Sequence, residues 1–391
     1  MRKWLLRALM GLLGCCIVSA AILVLVNRSL ATESARPDRL DDAQKALLAE
    51  FIQVRQQLGE ETWPGWGRAE IPAIVYNEAY AFLVGYPEPP EGWIKVPQGD
   101  ERGGPWEPVA DDSFGGAPYY RQPLPAGGET PEAFTVKVGE RWVASLLTQE
   151  WMEIDLREHL REQVPAFVAP ILPYSLMPGI FLRGSDGYIS ALAHESFHAY
   201  QGTVAPQRLA AAERIAPQGD ADYPWADASL QEAWQGELDL LAQALQAQTE
   251  TETAALAQQF LAQRAARRES AGLSATLVDY ERQREWLEGL ARYVELEIWR
   301  QASLAEGYDP SAALQDDPDF SEYGTFDRRW SQEIDQMKRM AGDEGDGRFY
   351  YSGMAQAVLL DRLMPGWKSE ALDDGVFLED LLAQSVQTSM Q

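Results

Sequence analysis

Two of the chain's three histidines, His194 and His198, stand four positions apart with Glu195 directly after the first, and no other feature constrains the fold as much. On a helix, residues at i and i+4 share one face about a turn apart. Two imidazoles placed that way reach a single tetrahedral ion, a geometry that suits zinc (Zn2+). Glu195 then lies beside the ion without ligating it, where it can take a proton from an attacking water. Composition alone gives this pattern a chance probability of roughly one in several hundred. Helix punctuation agrees independently: Ser185 or Asp186 caps a helix from about Tyr188 to Gln201, and Gly202 is its expected stop.

The segment His194-Glu195-Ser196-Phe197-His198 resembles the signature helix of the zincin metallopeptidases. The resemblance covers this helix and one later helix, a small part of the chain. No histidine follows His198, so the metzincin pattern, which takes a third histidine after a glycine, does not apply. Resemblance to the gluzincins implies a glutamate ligand from a later helix. Trp286-Leu287-Glu288-Gly289-Leu290-Ala291-Arg292-Tyr293 looks like the Glu-Gly-x-Ala-x-Tyr segment of several gluzincins, which makes Glu288 the first candidate. Gly289 and Ala291 are small where two helices must approach closely, and a glycine inside a helix costs about 1 kcal/mol against alanine. Glu237, in Gly236-Glu237-Leu238, is the alternative third ligand, and another acid such as Glu232 stays open. The chain departs from the thermolysin type at the residue four after the ligand: Arg292 follows Glu288 and Leu241 follows Glu237, where an Asp is expected. A ligating imidazole still needs an outer partner, for which Glu285, Asp239 and Glu295 are candidates.

The resemblance implies a zinc-dependent peptidase. Glu195 would accept the water proton and pass it to the leaving amine. Tyr350, Tyr351 and Tyr293 are the candidate donors to the developing oxyanion, with Arg348 a further option. His159, among Arg157, Glu158 and Arg161, reads as an exposed helix residue. The alternative function is a non-catalytic extracytoplasmic binding or scaffold module on the same fold, its aromatic-rich N-terminal half offering a binding surface.

Organisation follows from punctuation. Ala8 to Val26 is an uncharged run of 19 residues behind Arg2, Lys3 and Arg7. About 20 such residues cross a bilayer, so residues 1–30 read as a membrane anchor with the bulk of the chain extracytoplasmic, a cleaved or lipidated form remaining open. Residues 32–42 form a polar linker, and helical periodicity runs from Ala43 to about Gly59. Residues 31–180 then read as a loop-rich α/β half. Strands are expected at 71–76, 134–138 and 142–147, and proline and glycine make long helices unlikely over most of it. Residues 181–391 read as a helical zinc-binding half, with a loop to about Asp227, helices near 228–249, 252–270 and 274–305, and a last one from about Ser352 to Leu363. The expected class is α+β, mainly helical in the C-terminal half, with a zincin-like domain.

With 33 Lys+Arg against 60 Asp+Glu the formal charge is −27, which excludes a basic nucleic-acid face. The expected partners are a peptide or protein substrate, preferably neutral or cationic, and the membrane through the N-terminal helix. Cys15 and Cys16 are the only thiols, so the remaining chain has no disulfide and no thiolate ligand.

Overall fold

Burial alternates along the central strands of the N-terminal half, and this shows how its sheet is covered. In β1 (Ala73–Tyr76), Ala73 and Val75 join one apolar core while Ile74 and Tyr76 join another. A strand sends successive side chains to opposite faces, so both faces of this sheet are buried. β2 (Tyr80–Val84), β3 (Trp93–Lys95), β4 (Glu101–Arg102), β5 (Glu107–Pro108), β6 (Tyr120–Pro123), β7 (Val136–Val138) and β8 (Arg141–Leu147) complete eight strands in the order β4-β3-β7-β8-β1-β2-β6-β5. All neighbours are antiparallel except β1 and β8, which run parallel with Ala73 opposite Ala144. One face packs under Trp93 and Trp106, and the other faces the helices. This computed structural model describes residues 2–88, 90–97, 99, 101–125, 130–131 and 136–389, with the side chains of 2–13, 16, 17 and 389 left outside. The first two residues of the strand expected at 134–138 therefore lie outside the described set.

The helices ahead of the sheet are α1 (Arg2–Ser29) and α2 (Asp42–Thr62), the latter capped by the Asp41 side chain on the Gln44 N–H. After the sheet come α3 (Gln149–Glu162), α4 (Met177–Phe181), α5 (Gly184–Val204), α6 (Pro206–Asp222), α7 (Ala228–Gln246), α8 (Glu250–Ser270) and α9 (Ala275–Arg284). A π-turn over Glu285–Gly289 joins α9 to α10 (Leu290–Leu304), followed by α11 (Phe326–Met337), α12 (Gly347–Leu363) and α13 (Leu378–Ser389). The fold is thus mixed α+β with a helical C-terminal half. One continuous core joins the two halves: Leu47, Phe51, Trp63 and Trp66 pack with Phe197, Trp286, Tyr293 and Trp367, so residue 180 marks no break in the packing.

Several expectations are corrected. Gly202 does not stop its helix: α5 continues to Val204, and a Cβ at Gly202 would lie 2.4 Å from the Trp142 ring, so glycine is there to let α5 lie flat on β8. Ser185 and Asp186 do not cap α5, whose preceding residue Arg183 is left-handed at φ 61°. Asp186 instead accepts from the Ser321 and Tyr323 N–H groups. The loop expected after Gly202 contains α6, which starts at Pro206 in the first turn, where a missing N–H costs nothing, and accommodates Pro217. α11 and α13 had no separate place in the sequence reading, and α3 entered it only through His159, read there as an exposed helix residue. The linker at 32–42 is tied down, with Ser34 donating to Glu78, Ala35 to Glu150, and Arg121 to Asp38. Among the described residues no helix is long and apolar enough to cross a membrane. The run from Ala8 to Val26 lies in α1, with the side chains of 8–13, 16 and 17 outside the described set.

A buried ion network holds α7, α8, α9 and α13 together. Arg267 pairs with Glu237 and Glu281, Arg264 with Glu237, Glu285 and Glu379, and Arg268 with Glu281 and Glu379. Burial alone would raise the Glu281 carboxyl, but Arg267 and Arg268 outweigh it and hold Glu281 at about 2. A carboxyl depressed from about 4.3 in the unfolded chain stabilises the fold above that pH and loses the contribution as pH falls toward 2. Glu281→Gln is expected to cost about 1–3 kcal/mol near neutrality, since Arg267 and Arg268 each lose a buried charged acceptor while keeping Glu237 and Glu379. Chemical denaturation at pH 7 and pH 3 checks this: the gap between wild type and variant should shrink at the lower pH, and an equal gap at both would refute it.

Candidate metal centre

α5 crosses the sheet on β8, and its sequence divides cleanly between its two sides. Ser196 and Phe197 face inward: the Trp66 indole N–H donates to the Ser196 hydroxyl at 3.1 Å, and Phe197 meets Trp63 edge-on at 4.9 Å. That packing fixes the helix roll and turns His194, Glu195 and His198 toward α10 and α12. The π-turn adds a residue to the opposing helix and presents Glu288 to the two rings. Close approach of this turn to α12 requires glycine on both sides, since a Cβ on Gly289 would sit 2.5 Å from the Gly353 Cα, and one on Gly353 equally close to the Glu285 carbonyl.

Three donor atoms converge. His194 Nε2 and His198 Nε2 are 3.1 Å apart, and Glu288 Oε2 lies 3.4 and 3.2 Å from them. Ligand bonds of about 2.0–2.1 Å at tetrahedral angles place donors about 3.3 Å apart, so the triangle fits zinc. His194, His198 and Glu288 are the only group of this kind among the described residues.

The outer partners set the chemistry of each donor. Gln201 donates from Nε2 to the Trp286 and Leu287 carbonyls at 3.0 and 3.3 Å, which fixes its amide so that Oε1 accepts from His198 Nδ1 at 2.9 Å. A proton on Nδ1 leaves the Nε2 lone pair free for a metal. His194 Nδ1 faces Glu295 Oε2 at 3.4 Å, an ion-pair distance without a well-aligned hydrogen bond. Burial pulls the His194 ring down, but Glu288 and Glu295 outweigh it and raise it to about 10, a site that attracts positive charge. Arg292 and Arg329 in turn hold Glu295, whose carboxyl burial would raise; Arg292 and His194 bring it down to about 2. Arg284 donates to Glu288 Oε1 at 2.9 Å and pairs with Asp346, leaving Oε2 for the rings. Despite its burial, Glu288 is held well below the usual carboxylate range, with Arg284 and His198 the main opposing causes. Glu195 carries no such partner. Burial raises it to about 7 while the two imidazoles pull it down, as a base working near neutrality requires.

The remaining candidates separate in space. Glu237 is fully buried between Arg264 and Arg267 and lies outside the group that could hold an ion, in which the carboxylate beside the two histidines is Glu288. Tyr293 donates to Asp361 at 2.6 Å and packs on Trp63 and Trp367, which removes it as an oxyanion donor. Tyr351 lies under the Arg292 guanidinium, behind Glu295. Tyr350 stacks on His194 at 5.9 Å, nearly parallel, and burial with the nearby Glu288 and Asp346 carboxylates keeps its phenol protonated. Arg348 reaches the Asp343 carbonyl and lies over Trp225. Of the outer-partner candidates, Glu295 meets a histidine, Glu285 pairs with Arg264, and Asp239 accepts from Gln235. Exposed His159 contacts Gln163 at 2.8 Å. Gln201, Arg284 and Asp346 were missed; Gln201 alone had a local signal, standing one helical turn beyond His198.

Gln201→Leu should lower metal affinity about 10–100-fold, because His198 loses the acceptor that fixes its tautomer. Metal-chelator competition measures it, and an unchanged affinity would deny Gln201 that role. Comparison with protein families, curated proteins and solved structures finds no match for this chain.

Proposed function

We propose that the chain is a zinc-dependent peptidase of gluzincin type, anchored to a membrane by its N-terminal helix with its bulk extracytoplasmic. What supports the reading is one observation: two imidazoles and a carboxylate converge at zinc-ligand spacing with a separate, unpaired acid, Glu195, next to the first imidazole. His194, His198 and Glu288 would hold the ion. A zinc ion bound there supplies Lewis acidity that polarises a scissile carbonyl and makes a water more acidic. Glu195 accepts the proton of the attacking water and returns it to the leaving amine. Tyr350, stacked on His194 beside Glu288, would donate from its protonated phenol to the developing oxyanion. Arg284 and Gln201 hold the donors in register.

A second reading, a metal-stabilised module without hydrolysis, is favoured by closure of the site: His194, Glu195, His198 and Glu288 are each no more than 9% exposed. Elemental analysis of the purified full chain, with hydrolysis of an unstructured peptide mixture, tests both. About one zinc per chain with cleavage supports the peptidase. One zinc without cleavage supports the module, and no zinc after supply at neutral pH sinks both.

A further inference from the structure

The connection between α3 and α5 leaves large apolar side chains in the open: Phe167, Ile171, Leu176, Ile180 and Phe181 are 83, 44, 61, 64 and 54% exposed. Single apolar residues are ordinary on a surface, but a group within one short stretch marks an interaction face.

The same stretch grips the end of α1. Asn27 donates through Nδ2 to the Pro170 and Leu172 carbonyls at 3.0 and 2.8 Å, and Arg161 donates to the Asn27 carbonyl at 3.3 Å. α1 packs there on two 3-10 turns, Ala169–Ile171 and Tyr174–Leu176. Just before that clamp α1 itself displays Val18, Ile22 and Leu25, 59, 55 and 66% exposed, which belong to the uncharged run from Ala8 to Val26. The two apolar surfaces therefore meet at Asn27 with no loose chain between them.

We infer that residues 167–181 form a membrane-docking face that rests in the headgroup–acyl boundary of a bilayer beside the point where α1 enters it. Continuity with the uncharged helix names the occupant. Charge disfavours the obvious competitor, because a second copy would bring another −27 toward the first. The same charge means that anionic lipid repels the body, so apolar burial carries the contact and neutral lipid suffices. With the segment after α1 pinned through Ser34, Ala35 and Asp38, the face sets a fixed orientation and height of the metal centre over the bilayer. The inference rests on the reading of α1 as lipid-facing and is independent of hydrolysis.

The test uses the full chain in phosphatidylcholine vesicles, with Cys15→Ser and Cys16→Ser and one nitroxide-labelled cysteine at a time. Phe167→Cys, Leu176→Cys and Ile180→Cys are compared with Glu140→Cys, whose native side chain is fully exposed. The three sites should relax several-fold more with oxygen than with a water-soluble nickel chelate, relative to Glu140→Cys, and high salt should leave this unchanged. Equal accessibility at all four sites, in a chain that floats with the vesicles, overturns the docking face while leaving the helix reading intact. A chain that does not float overturns both. Dipolar broadening that disappears on dilution with unlabelled chain, without an oxygen preference, assigns the face to self-association and overturns it as well.

Discussion

Glu195→Gln is expected to lower peptide hydrolysis by about 10²–10⁴-fold while the chain keeps its bound zinc, the range over which a positioned acid–base group acts. The amide has the same shape but cannot accept the water's proton. Glu195 is no ligand in the geometry described, and its raised carboxyl, at about 7, marks a group whose protonation changes near working pH. A bound dication would draw this carboxyl below its metal-free value, so wild-type activity should rise with pH along an acid limb centred below 7, and the variant should lack that limb. Initial rates from pH 5 to 8, with metal content measured on the same samples, check both statements. Zinc retained with hydrolysis undiminished would remove Glu195 from the chemistry.

Glu288→Gln should abolish stoichiometric zinc binding, a larger effect than the 10–100-fold expected for an outer partner such as Gln201. The amide oxygen is a weaker donor than the carboxylate, and its neutrality leaves Arg284 with Asp346 as its remaining counter-charge. Glu237→Gln is the control. It disturbs the pairs to Arg264 and Arg267, so the fold should weaken while each chain that folds still binds zinc. Elemental analysis of both variants, with circular dichroism to confirm folding, separates the outcomes. Zinc lost from a folded Glu237 variant and kept by the Glu288 variant would reverse the assignment.

The histidine pair was legible because its message is local: four residues on a helix fix a shared face whatever surrounds it. α2 and α7 to α10 were legible for a similar reason, their apolar periodicity and caps being written within one element. Gly202 misled because its strong local meaning as a helix stop is overridden by packing. Gly202 makes room for Trp142, and α6 holds Pro217 within a helix docked on α9.

The sequence by itself determined the helix of the centre, its two imidazole donors, the neighbouring acid and the absence of thiols from the body, since all of these are composition or short-range spacing. Tertiary structure alone decided between Glu237 and Glu288, two buried acids in helical surroundings. One meets arginines carried by α8, and the other, turned by a π-bulge, meets the histidines of α5. It also decided that Gln201 and Glu295 would be the outer partners and that Tyr350 would stack on His194 while Tyr293 turned to Asp361. A carboxylate's role follows from the charge it faces after folding, and contacts made across tens of residues leave no periodic trace in the chain.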